Sequence, residues 1–359
     1  MLCAVSVVDS ISETSMPINE FVIYRAIHNY DLRQILIVLD KNSPVNVNIP
    51  DDVDVYLVGN DKKKIRNTVK TIQDQYGTEI VFHLHHQKSA IVFFESTVGL
   101  GIRKKCLYTV HSTFSGRDIK YKLSSIFCSL YANYANCVSN AAYSEYSSIV
   151  KRIKKERFLS IQNGVDTGRI DSAISTNLCC DSTKSMVCVG RMIPLKNHVF
   201  LIQLLSKLPD YKLILIGAED KEGRIRALAK ELDVLERVEF KGLIPRNDVF
   251  RELQQASIYV SSSTVEGLPV SVLEAMYVGL VPVLSDILPH KEIAEACSEV
   301  EILPLSIDKW TEKIQALTDF DNKSRFIKET VKRKFSLETM HTAYLSVYES
   351  IIEGNSRKC

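Results

Sequence analysis

Apolar residues recur along this chain in two rhythms: short unbroken runs of strand length, and longer stretches with the period of an amphipathic helix. In the first half, runs at 2–8, 34–39, 53–58, 81–86, 106–110, 137–139 and 158–162 predict strands. Between them, 19–29, 62–75, a stretch opening at Ser89, 121–134 and 141–153 predict helices. Residues 165–184 have weak periodicity and are rich in Ser, Thr and Asp, the composition of a linker. The alternation then restarts, with strands at 186–189, 212–216, 238–240, 257–263, 281–284 and 300–303. Helices are predicted from Asn197 and at 221–232, 248–255 and 269–279, and the tail, 309–353, is mostly helical in pattern. Strands alternating with helices imply parallel sheets with helices on both faces. The expectation is an α/β chain of two doubly wound, Rossmann-like domains facing across a cleft. They divide as 1–164 and 165–336, with a C-terminal helix near 337–355 able to pack back on the first. In such sheets ligands sit beyond the carboxyl ends of the strands.

The stretch 257–290 stands out chemically. Between Gly267 and Ser285 the only charged residue is Glu274, and a lone carboxylate in an apolar segment is costly to bury without a partner. The helix that follows Gly267 opens at Pro269, which suits a first turn, and Leu268 before it cannot cap. Its first N–H groups are therefore expected to be free for an anion. Glu266 and Glu274 form the centre of this reading. Nearby, the run MVCVG ends at Gly190 and delivers Arg191, with Lys196 five residues further on. Two cations at the carboxyl end of a parallel strand suit a diphosphate, and Gly190 lets backbone approach it closely. Taken alone, such cations are more often solvated surface residues. Beside a carboxylate pair on the same sheet, binding is the better account.

Three ordered motifs, IQNGVD (161–166), VGRMIPLKN (189–197) and EGLPVSVLEAMYVGLVPV (266–283), give the chain a specific resemblance. Over 158–290 it resembles the family 4 (GT4) retaining glycosyltransferases, group 1 glycosyl transferases of the GT-B fold. The resemblance implies that Arg191 and Lys196 bind the diphosphate of a nucleotide-sugar donor, Glu274 the ribose hydroxyls and Glu266 the donor sugar. Gly267, Leu268 and Pro269 would present backbone to the phosphates and sugar, although Pro269 has no N–H. Leu243 and Ile244 would lie near the base. His111, in YTVHST, resembles the family histidine that lines the sugar, the alternative being a satisfied core histidine. The implied catalytic set is thus His111, Glu266, Arg191 and Lys196. The implied reaction moves a sugar, from a UDP-sugar in preference to a GDP-sugar, to a hydroxyl of a growing, lipid-linked polysaccharide repeat such as lipopolysaccharide. No cofactor or metal is implied. Many members carry a glycine-rich loop after the first strand; here 10–21 contains no glycine, and Ser12, Thr14 or Ser15 would have to act through side chains. Two other readings stay open: a GT-B nucleotide-sugar epimerase, and a non-catalytic nucleotide-sugar-binding protein.

Composition narrows the rest. Apolar content of 45% and charged content of 25% are globular values, and a net charge of +2 does not favour nucleic acid. Nine scattered cysteines, without zinc spacing, read as reduced thiols in a cytoplasm. The N-terminal run lacks a basic leader, so it is expected to be a strand and not a signal peptide, and no apolar run reaches membrane-span length. His83, His85 and His86 invite a metal, but no carboxylate follows at useful spacing. Asp52 and Asp54 form a DxD triplet at the wrong end of a strand and read as surface loop. The basic run at 151–157, taken with Tyr146, Ile149, Val150 and Ile153, reads either as a solvated helix end or as a basic amphipathic helix docking on an anionic membrane surface.

Overall fold

Near-continuous apolar runs become the strands of two all-parallel sheets, as expected for strands buried on both faces. The computed structural model describes residues 1–11, 28, 31–40, 49, 53–174 and 184–356. Its contacts divide the chain into Met1–Asn163 with Leu337–Cys359, and Gly164–Ser336. The expected helix at 19–29, apart from residue 28, lies outside the described residues, as do Ser12, Thr14, Ser15, Asp52 and 175–183 of the expected linker.

The first unit holds strands β1 (Leu2–Val8), β2 (Leu32–Val38), β3 (Asp54–Leu57), β4 (Ile80–His85), β5 (Cys106–Val110), β6 (Tyr134–Cys137) and β7 (Phe158–Ser160). Their order is β3-β2-β1-β4-β5-β6-β7. The two-residue period sorts side chains between faces. Val5, Ile37, Phe82, Leu84 and Tyr108 join Ile65, Val69 and Phe93 from helices Lys62–Tyr76 and Gln87–Ser96. On the other face Ala4, Leu32, Val81 and Leu107 pack against Met340, Tyr344, Val347, Tyr348 and Ile351 of helix Leu337–Ser356.

That helix also completes a buried polar row. Thr109 Oγ1 donates to Asn136 Oδ1 at 2.6 Å, so it can only accept from His83 Nε2 at 2.7 Å. His83 is thereby fixed as the Nε2–H tautomer, and its Nδ1 accepts from the Tyr348 hydroxyl at 2.7 Å. Asn136 Nδ2 donates to Tyr344 Oη at 2.9 Å. Both nitrogens of His83 are occupied by structural partners.

Two expected helices are corrected. The one at 121–134 is Ile119–Tyr131, and 134 onwards pairs with β5 as β6, because Ala132 turns extended (ψ 157°) and Asn133 N donates to Cys106 O. The one at 141–153 is two helices, Asn140–Glu145 and Ser148–Lys154. The break falls at Tyr146 (ψ 157°), whose buried hydroxyl meets Ser125 and Ser129 at 2.9 and 2.7 Å.

The second unit holds β8 (Ser185–Val189), β9 (Lys212–Ile216), β10 (Val238–Gly242), β11 (Ile258–Ser261), β12 (Val281–Ser285) and β13 (Glu301–Leu303), ordered β10-β9-β8-β11-β12-β13. The order reverses between β8 and β11, which makes their carboxyl ends the switch point where a doubly wound sheet opens a crevice. Part of the expected linker is helical instead: Thr167–Ala173, capped by Asp166, packs Ile170 into this unit's core.

Candidate functional site

Three neighbouring strands of the second unit exit through glycines. Gly190 N donates to Ile216 O and Gly217 N to Gly242 O, each at 2.8 Å. Gly217 has φ +138°, and a Cβ there would fall 2.3 Å from Gly190 O. Only glycine lets the exits of β8 and β9 run this close. Met192 N then bonds Ala218 O at 2.8 Å, fixing the backbone on both sides of the exposed Arg191.

After Arg191 a short 3₁₀ turn, Pro194–Lys196, leads through Asn197 (φ +51°) into helix His198–Ser206. Across the switch point, the exit of β11 is stitched to this turn. Thr264 N donates to Leu195 O at 2.8 Å and Ser262 Oγ to Asn197 O at 2.8 Å. The result is direct contact between two residues 70 positions apart: Lys196 Nζ donates to Glu266 Oε1 at 2.5 Å. Their side chains are 23% and 11% exposed, so the pair is partly open to a ligand.

Gly267 and Leu268 lead to helix Val270–Val278, which no side chain caps. Pro269 is the capping residue itself and not the first helical one, a shift of one position from expectation. Glu274 lies on this helix, buried to 1%. Its partner comes from outside the apolar stretch. Nη2 of Arg246, itself 8% exposed and opening helix Arg246–Leu253, donates to Glu274 Oε1. Glu274 Oε2 is buried with no hydrogen-bond partner among the described residues. Arg246 thus offsets the desolvation of the carboxylate on one side and leaves an acceptor oxygen on the other. The arginine was missed because it lies far away in sequence, after the β10 exit; the signal was the demand for a countercharge that the stretch 267–285 could not meet. Leu243, 62% exposed, and the half-buried Ile244 occupy the same exit loop.

His290 also escaped the sequence reading. It sits on helix Leu288–Ala296 with Nδ1 2.9 Å from Ser285 O. Burial is the main force that lowers its pKa to about 4, against the opposing pull of the Glu266 carboxylate. His198, also lowered to about 4 by burial, lies 3.8 Å by Nε2 from the Cys188 sulfur. Both rings are neutral at neutral pH.

In the first unit, His111 follows β5 with Nε2 3.3 Å from His85 Nδ1 and its ring 4.8 Å from that of His86. Burial holds its pKa well below the ordinary histidine value. No cluster able to hold a metal occurs among the described residues. Asp54 opens β3 and pairs with Arg33 at 2.8 Å. The basic run at 151–157 is not one amphipathic helix: the α-helix ends at Lys154, a 3₁₀ turn takes up Lys155–Arg157, and Lys154 is buried with its ammonium on Ala132 O. Tyr146 and Val150 are buried, whereas Ile149 and Ile153 are exposed.

Residues 180–333, which contain every one of the second unit's site residues, match the family described as glycosyl transferases group 1. Over those residues the chain is similar to group 1 glycosyl transferases. It is 31% identical over 160 residues to an uncharacterized glycosyltransferase of Haemophilus influenzae, a match covering 41% of this chain and 44% of that one. It is 26% identical over 263 residues to the O-antigen biosynthesis glycosyltransferase WbnH of Escherichia coli, covering 70% of each. The chain spans about half the length of several curated relatives it matches, 44%, 46% and 47% in three of them. Its fold matches that of Anabaena HepE in complex with UDP and glucose, with TM-score 0.78 and 16% identity over 98% of this chain and 100% of that one. The two Rossmann-like units are those of the GT-B fold.

Proposed function

We propose that this protein is a retaining glycosyltransferase that moves a sugar from a nucleotide-diphosphate sugar to a hydroxyl of a growing, lipid-linked glycan. The observation that carries the reading is the Lys196–Glu266 contact at the β8/β11 switch point, beside Arg191 and an uncapped helix N-terminus. These groups suit a sugar diphosphate. Arg191 and the Lys196 ammonium neutralise the phosphates, Glu266 accepts from sugar hydroxyls, and Glu274 Oε2 accepts from the ribose. A UDP-sugar is favoured, in keeping with the UDP bound to HepE. A glycan acceptor is in keeping with the O-antigen role in WbnH's name.

In the reaction, charge develops on the leaving diphosphate, and the two cations and the helix N-terminus stabilise it there. Glu266 is committed to Lys196 and Glu274 to Arg246, so neither is a free nucleophile for double displacement. A front-face route follows: the leaving phosphate oxygen takes the acceptor proton as the hydroxyl approaches from the same side. Because side-chain cations face the phosphates, EDTA is expected to leave activity intact. Proton NMR of the product formed from an α-linked donor tests the route. An α linkage supports it, and a β linkage refutes it.

A further inference from the structure

Five large apolar side chains stand exposed on two neighbouring helices of the first unit. Helix Ile119–Tyr131 presents Ile119 (65% exposed), Leu123 (60%) and Phe127 (50%) at intervals of four residues, which places them on one face. Helix Ser148–Lys154, packed against it, presents Ile149 (64%) and Ile153 (57%) with the same spacing. The opposite sides of both helices are accounted for. Ser125, Cys128 and Ser129 of the first and Val150 and Lys154 of the second are buried. The exposed rows are therefore not the core-facing stripes, and a cluster of this kind on a protein surface marks an interaction site.

Charge identifies the partner. Neither helix contains an aspartate or glutamate, and all their charged residues are cations: Lys120, Lys122, Lys151, Arg152 and Lys154. The whole chain is nearly balanced, with 45 basic and 43 acidic residues, so the single sign of charge within these two helices is local. Lys154 is committed to Ala132 O and Lys151 to Ser144 O, but Lys120, Lys122 and Arg152 enter no ion pair among the described residues. Apolar rows flanked by unpaired cations are the chemistry of an interface that enters a lipid headgroup layer: side chains insert while Lys and Arg meet anionic phosphates. No helix among the described residues is long and apolar enough to cross a membrane, so the contact would be lateral.

We infer that Ile119, Leu123, Phe127, Ile149 and Ile153, with Lys120, Lys122 and Arg152, form the face by which this protein docks on an anionic bilayer. The inference deepens the lipid-linked acceptor of the proposed function but rests on the first unit alone. It differs from the basic-run expectation in placing insertion on apolar rows of two helices.

Sedimentation with vesicles tests it on the full chain. The wild type is expected to bind phosphatidylglycerol–phosphatidylcholine vesicles and to stay in solution with phosphatidylcholine alone. The pair Leu123→Ser and Phe127→Ser, and separately Ile149→Ser and Ile153→Ser, should weaken binding at least about tenfold, since apolar insertion is lost. Lys120→Glu with Arg152→Glu should weaken it by more than about fivefold per charge. Wild type that ignores both vesicle types, or apolar variants that bind like wild type, overturns the inference. So does ultracentrifugation showing a dimer that the apolar variants dissolve, since the face would then meet a second copy. Nucleotide binding, read by thermal shift on the same variants, should be unchanged; it fails only if the glycosyltransferase reading fails.

Discussion

Consider Glu274→Gln, which removes the charge from a carboxylate 1% exposed that pairs with Arg246, itself 8% exposed. Breaking one side of a buried ion pair costs about 3–5 kcal/mol. For a unit of this size each kcal/mol moves the melting temperature by about 2–4 °C, so its transition should fall by about 6–20 °C. Loss of donor binding in that variant alone would be ambiguous. The double substitution Arg246→Met with Glu274→Leu separates the roles, because replacing both charges by apolar groups of similar volume is often neutral or stabilising. The double variant should recover most of the lost melting temperature while nucleotide binding stays lost, since no carboxylate oxygen remains for the ribose. Calorimetry and titration with nucleoside diphosphate read the two quantities separately. If the double variant binds nucleotide like wild type, Glu274 is a structural residue. If Glu274→Gln melts unchanged, the pair carries no stability.

Three further outcomes are expected. Arg191→Ala and Lys196→Ala should each stay folded and lower kcat/KM about tenfold or more, the worth of one charged hydrogen bond; normal activity would make them solvated surface cations. His198 and His290 are held near pKa 4 against an ordinary 6.5, so the unfolded chain takes up protons first as pH falls. Their contribution is complete above pH 6.5 and is lost between 6.5 and about 4, so the melting temperature should drop across that window and His290→Gln should flatten the drop; an unchanged slope in that variant argues against it. Gly217→Ala forces a Cβ to 2.3 Å from Gly190 O and should cost more than Gly223→Ala, which meets nothing within 4 Å and carries only the positive-φ strain, about 1–2 kcal/mol. Equal losses by urea unfolding would contradict the close approach at Gly190.

The strand framework was legible because parallel strands buried on both faces write themselves as apolar runs, as Leu2–Val8 and Lys212–Ile216 do. Helix ends were less so. Tyr134 belongs to a strand, and Tyr146 interrupts a helix, because tertiary partners (β5 in one case, Ser125 and Ser129 in the other) override a continuing local period. Within the candidate site, Arg191, Lys196, Glu266 and Glu274 were readable from spacing and the family resemblance. What spacing cannot carry is pairing. Lys196 meets Glu266, and Arg246 meets Glu274, only because strand order brings distant exits together. His290 was hidden for a different reason: its environment is made by nearby Ser285 and by burial, not by a motif.

In the proposed function the second unit binds a nucleoside diphosphate through Arg191, Lys196 and Glu274. Thermal unfolding of the full chain with uridine, guanosine and adenosine diphosphates at millimolar concentration tests it most directly. At a hundred times its dissociation constant, the right nucleotide should stabilise the fold by about 2.7 kcal/mol, with the uridine compound strongest and the effect lost in Arg191→Ala. Unchanged melting with all three would show that the second unit does not bind a nucleoside diphosphate.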